Sequence, residues 1–539
     1  MSNISAILSL LHEGPDVNSS TRRFRNQPVL EWTLRRLSIS RQLSSAAVLC
    51  WEDQLPHVAG VAEEVGAFVL AKGPRSRISQ IESISASRRW ADGWRGGLLG
   101  TCAFDIGFYA PWVMELAQRL ETEGVLLVDA SSALVDPALV DALIVHADGH
   151  TDQEICFSAA APGLCGALLR MPLLGRLATT KIHPGRLLHY IPDHVSREMI
   201  GTDACLNVSP AVARTVERFV LDSDRQIART EHATACLNGE LQIAGAEEIV
   251  ERILASNWSD PLPREVTIEL NTRRATHPIF SPARARGIAR PDLPLNLARK
   301  IFQQFAHADD IRVTFAGVGD PLLHGDLFDI LDAARSAGIC ATHVETDLLS
   351  EDAGHISGLA SSPLDIVSIH LPALTEATYF EVMGIDGYRR VLDNIRALVA
   401  SRQQRGEGVP ILVPIFTKCR QNLVEMEPWY DQWLKALNCA VLRGPSTFGG
   451  LVSDVGVADM TPPGRKACHR LASRMMILSD GRIVSCEEDL VAAQTLGHAA
   501  TDSISDIWTT RFASLRSDHH QQQWAAHPLC ATCNEWHRP

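Results

Sequence analysis

No apolar stretch of this 539-residue chain reaches the length of a membrane-spanning helix, so the sequence predicts no membrane segment. Lysine and arginine form no run long enough for a basic patch, and the net charge of −13 argues against nucleic acid as a partner. The first residues lack both a basic segment and a small-residue cleavage site, which argues against a signal peptide. Internal repeats and low-complexity tracts are absent too. With 46% hydrophobic residues, we expect about three globular domains.

Most of the thirteen cysteines give no sign of special chemistry. Nine are scattered, most of them in apolar runs, and they are predicted to be small buried hydrophobic side chains: Cys50, Cys102, Cys156, Cys165, Cys205, Cys236, Cys340, Cys419 and Cys439. An odd count without a disulfide-like spacing fits a reducing compartment, so we expect a cytoplasmic protein.

Four cysteines near the C-terminus form a separate group: Cys468, Cys486, Cys530 and Cys533. Four thiolates are the ligand set for one iron–sulfur cluster or for one tetrahedral zinc ion. Between the first two cysteines, Asp480-Gly481 separates two apolar runs and predicts a β-hairpin. The hairpin would bring Cys468 and Cys486 together, with the other two cysteines returning from the far end of the chain. Spacing alone leaves iron–sulfur and zinc both open.

The order of motifs in this tail resembles the SPASM/twitch extension of radical S-adenosylmethionine enzymes. The resemblance covers a cysteine, a strand, Asp-Gly, a cysteine followed by acidic residues, Leu496-Gly497, the segment 503–508 and a terminal Cys-x-x-Cys. It implies one auxiliary 4Fe–4S cluster of the SPASM type on the four cysteines, whereas a zinc knuckle would use the same ligands.

Two other features of the C-terminal half are given structural roles. The run 518–523 contains His519 and His520, which could bind metal, but a solvated helical segment is the preferred interpretation. Trp429 and Trp433 have helical i, i+4 spacing and are predicted to pack rather than to stack on bases.

Upstream, the segment 266–282 resembles the end of the first barrel strand of radical S-adenosylmethionine enzymes, where three cysteines hold the core cluster. The frame fits without a gap, but the three cysteine positions are occupied by Arg274, Pro278 and Ser281. None of these side chains donates a thiolate to iron, and Arg274 adds a fixed positive charge. The resemblance therefore implies a barrel that has lost S-adenosylmethionine cleavage, and it argues against binding of that cofactor.

The remaining barrel pattern persists as strands alternating with helical stretches, which predicts a parallel sheet and an open, partial (β/α)6 barrel. A Gly-rich turn after the strand at 311–315 resembles the family's turn that approaches the methionine amino group, with Asp320 in place of the usual Glu. The resemblance places the cofactor-binding positions at Gly317, Gly319, Asp320, Thr346 and Ser368.

The first half resembles nucleotidyltransferases of the GT-A type, in particular cytidylyltransferases that activate sugar acids. The helix-forming Pro-Val-Leu-x-Trp motif at 28–32 and the segment 135–144 carry the likeness. The loop at 12–23 has one glycine and two acids, which makes a poor phosphate cradle. Ser131 occupies the position of the metal-binding carboxylate, although Asp129 lies two residues earlier and would point to the same face of an extended strand.

We therefore predict an α/β chain with a GT-A/Rossmann-like domain at 1–235, a linker helix and Pro-rich junction at 236–263, a radical-SAM-like TIM barrel at 264–455 and a SPASM-type domain at 456–539. This order resembles bacterial proteins that join the same two regions. The predicted function is a 4Fe–4S protein without catalysis that binds a small molecule, a nucleotide or a partner enzyme, with no nucleic acid or membrane as partner. The alternative is an enzyme, either a nucleotidyltransferase using Asp129 and Asp105 or an oxidoreductase working through the auxiliary cluster.

Overall fold

The computed structural model describes residues 3–190, 198–237, 239–282 and 288–538. The chain divides into two compact units, Met1–Trp258 and Ser259–Pro539. Within the described ranges, no helix is long and apolar enough to cross a membrane.

The first unit contains nine strands and nine helices among its described residues. The strands are β1 (Ile4–Ser9), β2 (Arg23–Phe24), β3 (Gln27–Pro28), β4 (Leu43–Cys50), β5 (Phe68–Ala71), β6 (Gly124–Asp129), β7 (Ile155–Ser158), β8 (Ala167–Arg170) and β9 (Cys205–Leu206). The helices are α1 (Val29–Leu37), α2 (Leu55–Val65), α3 (Ser79–Arg88), α4 (Ala110–Arg119), α5 (Pro137–Gly149), α6 (Met171–Thr180), α7 (Pro210–Arg214), α8 (Asp224–Ala233) and α9 (Ala246–Ala255).

Seven of these strands form one mixed sheet in the order β5-β4-β1-β6-β8-β7-β9. Strands β5, β4, β1 and β6 are parallel, whereas β8 runs antiparallel to both of its neighbours. Successive residues of β1 point to opposite faces, so Ile7 lies in one apolar cluster while Ala6 and Leu8 lie in another. Burial of both faces explains why β1 and β6 are nearly continuous apolar runs.

The helix predicted within the 236–263 junction is α9, and it belongs to the first unit. Its Ile249, Val250 and Ile253 are buried in a cluster that also contains Phe24 and Val29. An amphipathic helix gains stability by burying its apolar stripe, so this segment is a packed part of the unit rather than a linker.

The second unit also contains nine strands and nine helices among its described residues. The strands are β10 (Glu265–Ile268), β11 (Arg312–Phe315), β12 (Ala341–Thr346), β13 (Ile366–His370), β14 (Ile411–Thr417), β15 (Val441–Arg443), β16 (Arg474–Ile477), β17 (Arg482–Val484) and β18 (Thr495–His498). The helices are α10 (Leu295–Gln303), α11 (Leu327–Ser336), α12 (Ala353–Ser361), α13 (Glu376–Met383), α14 (Tyr388–Arg405), α15 (Met426–Leu437), α16 (Ile504–Thr509), α17 (Arg511–His520) and α18 (Pro528–Thr532).

Strands β10 to β15 lie side by side in chain order, and each is parallel to the next. This is the alternating strand–helix pattern that the sequence predicts. The sheet continues on the other side of β10, where β16 pairs in parallel and β17 and β18 follow as an antiparallel meander. The predicted boundary at 455/456 is therefore not a break in the sheet, because backbone hydrogen bonds join β16 directly to β10.

Two of the structural roles assigned from the sequence can be compared with the packing. Trp429 and Trp433 are buried with ring centroids 6.5 Å apart, which confirms that they pack. Among the scattered cysteines, six are buried and Cys165 and Cys340 are partly buried. The prediction is wrong for Cys236, which is exposed because it lies in a short 3-10 turn, Ala235–Leu237, at the surface.

Candidate metal centre

One pocket of the second unit is lined by all four C-terminal cysteines: Cys468, Cys486, Cys530 and Cys533. Cys486 and Cys530 are buried, with 8% of each residue exposed, and the other two cysteines are partly buried. The structure therefore brings together the four thiols that the sequence grouped by spacing, although 65 residues separate the first from the last.

The β16–β17 hairpin positions the first two cysteines. Met476 pairs with Val484 and Ile477 with Ile483, so the strands run back past one another as predicted. Gly481 closes the turn with a φ of 89°, and a Cβ there would lie 2.7 Å from a carbon of the His498 ring. Glycine is favoured at such a φ because it has no side chain to clash. Cys468 precedes the hairpin and Cys486 follows it directly.

The other two cysteines lie at the short helix α18. Cys530 is within the helix and its carbonyl accepts a hydrogen bond from Arg465 Nη2 at 2.7 Å. Cys533 caps its C-terminal end, and its sulfur accepts a hydrogen bond from the backbone N–H of Glu535 at 3.3 Å. A backbone donor to sulfur stabilises a thiolate, which holds here for Cys533.

Burial raises the pKa of every one of these thiols. Burial is the main cause that raises the pKa of Cys530 to about 12 and that of Cys533 to about 11, followed by Cys533 and Cys468 for the first thiol and by Glu488 for the second. The pKa of Cys486 lies well above its usual range, again mainly through burial. Thiolates are therefore costly here without a compensating cation. A bound metal group would supply that charge, and its binding would release the thiol protons.

Four cysteines around one pocket offer the ligand set of either an iron–sulfur cluster or a zinc ion. A tetrahedral zinc ion needs four sulfurs at about 2.3 Å from one point. Across the described ranges, no three His, Cys, Asp or Glu side chains form a group that could hold one metal ion. The four thiols surround a shared pocket, and four cysteines are the ligand set of a 4Fe–4S cluster, in which each thiolate binds a different iron.

His519 also lines this pocket, and here the sequence interpretation is wrong. The residue was expected on a solvated helix, but it is only 2% exposed, whereas its neighbour His520 is exposed. Leu515 and Phe512, one and two turns earlier on α17, are buried on the same face as His519. Burial, followed by Arg465 and His527, lowers the pKa of His519 to about 4. The polar composition of the run 518–523 gave no sign that one face of the helix is buried.

Arg274, which stands where the resemblance implies the first cluster cysteine, forms a buried ion pair. Arg274 Nε lies 3.3 Å from Asp347 Oδ2, and their side chains are 9% and 1% exposed. Asp347 also accepts hydrogen bonds from Thr276 Oγ1 at 2.5 Å and from His370 Nδ1 at 2.9 Å. Burial alone would raise the pKa of Asp347, but Arg274 and His370 outweigh it and bring the pKa to about 2.

Two of the predicted cofactor-binding side chains are joined directly. Asp320 Oδ2 accepts hydrogen bonds from Thr346 Oγ1 and from the Asp347 backbone N–H, both at 3.0 Å. Its Oδ1 accepts from the Leu322 backbone N–H at 2.9 Å. Burial and the nearby Asp347 carboxylate raise the pKa of Asp320. Both of its oxygens are thus already engaged by the protein. Beside this cluster the Tyr379 hydroxyl is buried and has no hydrogen-bond partner among the described residues.

The other predicted cofactor positions pack against neighbouring strands. A Cβ at Gly317 would lie 2.7 Å from the Glu269 side chain, and one at Gly319 would lie 2.4 Å from the Asn271 carbonyl oxygen. Close packing against the segment just after β10 therefore requires glycine at both positions. Ser368 lies on β13, and its hydroxyl is 2.8 Å from His343 Nε2 rather than against Asp320.

A second group of acids lies in the first unit, where β1 and β6 end. Asp129 ends β6, and its Oδ1 accepts from the Ser131 backbone N–H at 2.8 Å. Glu13, which sequence reasoning missed, follows β1 and lies 3.3 Å from Ser131 Oγ. Burial is the main cause that raises the pKa of both Glu13 and Asp129. Asp105 is held apart in its own network, where its carboxylate accepts from the backbone N–H groups of Cys102 and Gly185.

Residues 468–534 match the family model of SPASM, an iron–sulfur cluster-binding domain. The SPASM match starts at Cys468 and contains all four pocket cysteines as well as His519. It covers the C-terminal part of the second unit, which is therefore similar to an iron–sulfur cluster-binding domain.

Longer similarities are weaker. The chain is 24% identical to an uncharacterized protein from Treponema pallidum (strain Nichols) over 306 residues, which is 55% of this chain and 82% of the relative. SuiB from Streptococcus suis, in a crystal structure bound to precursor peptide SuiA, is 15% identical with a TM-score of 0.41, covering 56% of this chain and 84% of SuiB. BtrN in complex with AdoMet and 2-DOIA is 16% identical with a TM-score of 0.36, covering 51% and 94%.

Proposed function

We propose that the chain is an iron–sulfur protein of the radical SAM/SPASM type that holds one 4Fe–4S cluster and has lost cleavage of S-adenosylmethionine. Cys468, Cys486, Cys530 and Cys533 would hold the cluster, and their convergence on one pocket within the SPASM match supports the proposal. When bound, the cluster supplies a one-electron redox group and a covalent brace for the C-terminal segment. The chain's role would be that of a binding or partner subunit.

The loss of cleavage is supported by the Arg274–Asp347 ion pair. A guanidinium cannot ligate iron, and here it is fixed by a buried carboxylate at the position where the resembled family has its first cluster cysteine. The second observation is Asp320, whose oxygens accept three hydrogen bonds from the protein itself. A carboxylate engaged in this way has little capacity left for the amino group of a cofactor.

The test is the iron and sulfide content of anaerobically reconstituted full-length protein, with EPR spectra after reduction in the presence and absence of S-adenosylmethionine. We expect about four irons and four sulfides per chain and a spectrum that S-adenosylmethionine leaves unchanged. About eight irons, or a spectrum that shifts with S-adenosylmethionine, would overturn the assignment of a lost core site. Zinc without iron would show that the four cysteines form a structural zinc site instead.

A nucleotide or a related small molecule is the second proposed ligand, at the first unit. In open α/β sheets, ligands bind beyond the carboxyl ends of the strands, where the strand order reverses. Strands β1 and β6 flank that point, and Glu13 and Asp129 lie just beyond them with raised pKa values. Thermal shift of the full chain with nucleoside triphosphates and Mg²⁺ tests this role. Stabilisation that Asp129→Asn abolishes would support it, and no shift with any nucleotide would contradict it.

A further inference from the structure

His519 has a ring nitrogen that the described part of the protein leaves without a partner. Its Nε2 is buried and makes no hydrogen bond to any described residue, although the ring lines the four-cysteine pocket. Buried polar groups in folded proteins are nearly always hydrogen-bonded, so an orphaned nitrogen beside a proposed cofactor pocket needs an explanation.

The other ring nitrogen fixes where the proton lies. The backbone N–H of Cys468 points at Nδ1 over 3.4 Å, and an N–H can only donate. Nδ1 is therefore the acceptor and carries a lone pair, so the imidazole is neutral and its hydrogen is on Nε2. The unpartnered atom is thus a donor, and it needs an acceptor.

Neighbouring polar groups are already engaged. His527, whose ring stacks 6.1 Å from that of His519, uses its Nε2 for Asp518 Oδ2 at 3.0 Å and its Nδ1 for Gln494 Nε2 at 3.0 Å. Trp524, at 6.4 Å, has a ring nitrogen that only donates. Of the two pocket carboxylates, Glu488 accepts hydrogen bonds from Ser446 and Arg470, and Glu535 pairs with Arg538. The pocket sulfurs are acceptors that line the same space as the His519 ring.

We propose that His519 Nε2–H donates a hydrogen bond to a sulfur of the bound iron–sulfur cluster and thereby raises its reduction potential. The inference rests on the proposed function, since it needs a cluster on the four cysteines. Reduction adds one electron from an external reductant to the cluster, and the added negative charge spreads over the sulfurs. A hydrogen bond to sulfur is stronger in the reduced state, so it favours that state. His519 is a positioning and tuning residue and not a ligand.

The experiment compares midpoint potentials of reconstituted full-length proteins, titrated with dithionite and redox mediators and followed by EPR. His519→Phe keeps an aromatic ring but removes the donor, and His519→Gln keeps an N–H donor. His520→Phe, at the exposed neighbour, is the matched control. We expect a shift to more negative potential in H519F, a smaller shift in H519Q and none in H520F, at equal iron and sulfide content.

The possible outcomes separate this inference from the proposed function. An unchanged midpoint in H519F with a full complement of iron overturns the hydrogen bond to sulfur. Loss of iron from H519F and H519Q, with wild type and H520F loaded, also overturns it, because His519 would then be a ligand or an assembly residue. Should H519F alone fail to load, H519Q carries the test, and a midpoint in H519Q equal to or above that of wild type and H520F contradicts the proposal. Absence of iron from the reconstituted wild-type protein would contradict the proposed function itself.

Discussion

Arg274 is held in a buried network of charged and polar side chains. It pairs with Asp347, which also accepts hydrogen bonds from Thr276 and His370. The guanidinium is therefore compensated by a buried carboxylate and is not an isolated charge. Removal of one partner of a buried ion pair lowers the stability of the fold strongly, because the other charge stays buried without compensation.

At this scale we predict that Arg274→Ala lowers the free energy of unfolding of the second unit by about 3–5 kcal/mol, because Asp347 loses its compensating charge. The matched control is Arg273→Ala, since Arg273 pairs with Asp292 at the surface and is 56% exposed. That change should cost less than about 1 kcal/mol. Hydrogen exchange of the full chain, measured over 259–538, reports both values. Equal costs for the two variants would contradict the account of the buried pair.

A second residue-scale prediction concerns acid. Burial lowers the pKa of His343 from 6.5 to about 4 in the folded protein. Between these values the unfolded chain binds more protons than the folded one, so stability is full above about pH 6.5 and falls as the pH drops toward 4. We expect His343→Gln to have a flatter stability profile across that range. Denaturant unfolding at several pH values measures it, and parallel profiles for the two proteins would argue against a neutral, buried His343.

At the scale of elements, the β16–β17 hairpin extends the sheet of the second unit and positions Cys468 and Cys486. Strand β16 is hydrogen-bonded to β10 in parallel, so the position of Cys486 depends on the barrel as well as on its own turn. The turn requires a residue without a side chain, since Gly481 has positive φ and faces the His498 ring.

We therefore predict that Gly481→Ala destabilises the hairpin by about 1–3 kcal/mol through backbone strain, with the clash against His498 adding to it. The displaced cysteines should release iron faster to a chelator. Gly464→Ala is the control, because a Cβ at Gly464 would meet no atom within 4 Å. The iron-release half-time of the reconstituted proteins is the measurement. Release from G481A at the wild-type rate would count against the role of the turn.

At the scale of the whole molecule, the chain is two compact units with separate candidate sites. The pocket cysteines lie in the second unit, and binding of the proposed cluster would couple to the folding of their region. Cluster binding should therefore stabilise one unit and leave the other as it is.

The corresponding prediction is that the double variant Cys530→Ser/Cys533→Ser loses the cluster and exchanges amide hydrogens faster across 465–538, while exchange over 3–258 stays unchanged. Cys236→Ser is the control, since it removes an exposed thiol of the first unit. Hydrogen exchange with mass spectrometry on reconstituted proteins gives the comparison. A double variant that loses the cluster but keeps wild-type exchange in 465–538 would show that the cluster does not brace this region.

The sequence by itself determined the features that local patterns encode. Strand–helix alternation predicted the parallel order of β10 to β15, and Asp480-Gly481 predicted the hairpin, because turn chemistry and hydrophobic period act over neighbouring residues. The spacing of four cysteines likewise identified residues that line one pocket.

Only the tertiary structure decided which distant groups meet. It paired Arg274 with Asp347, placed Glu13 beside Ser131, joined β16 to β10 and buried His519 in a run whose composition indicated solvent exposure. Each of these contacts joins segments far apart in the chain. Their formation depends on the packing of whole elements, which no local period or composition specifies.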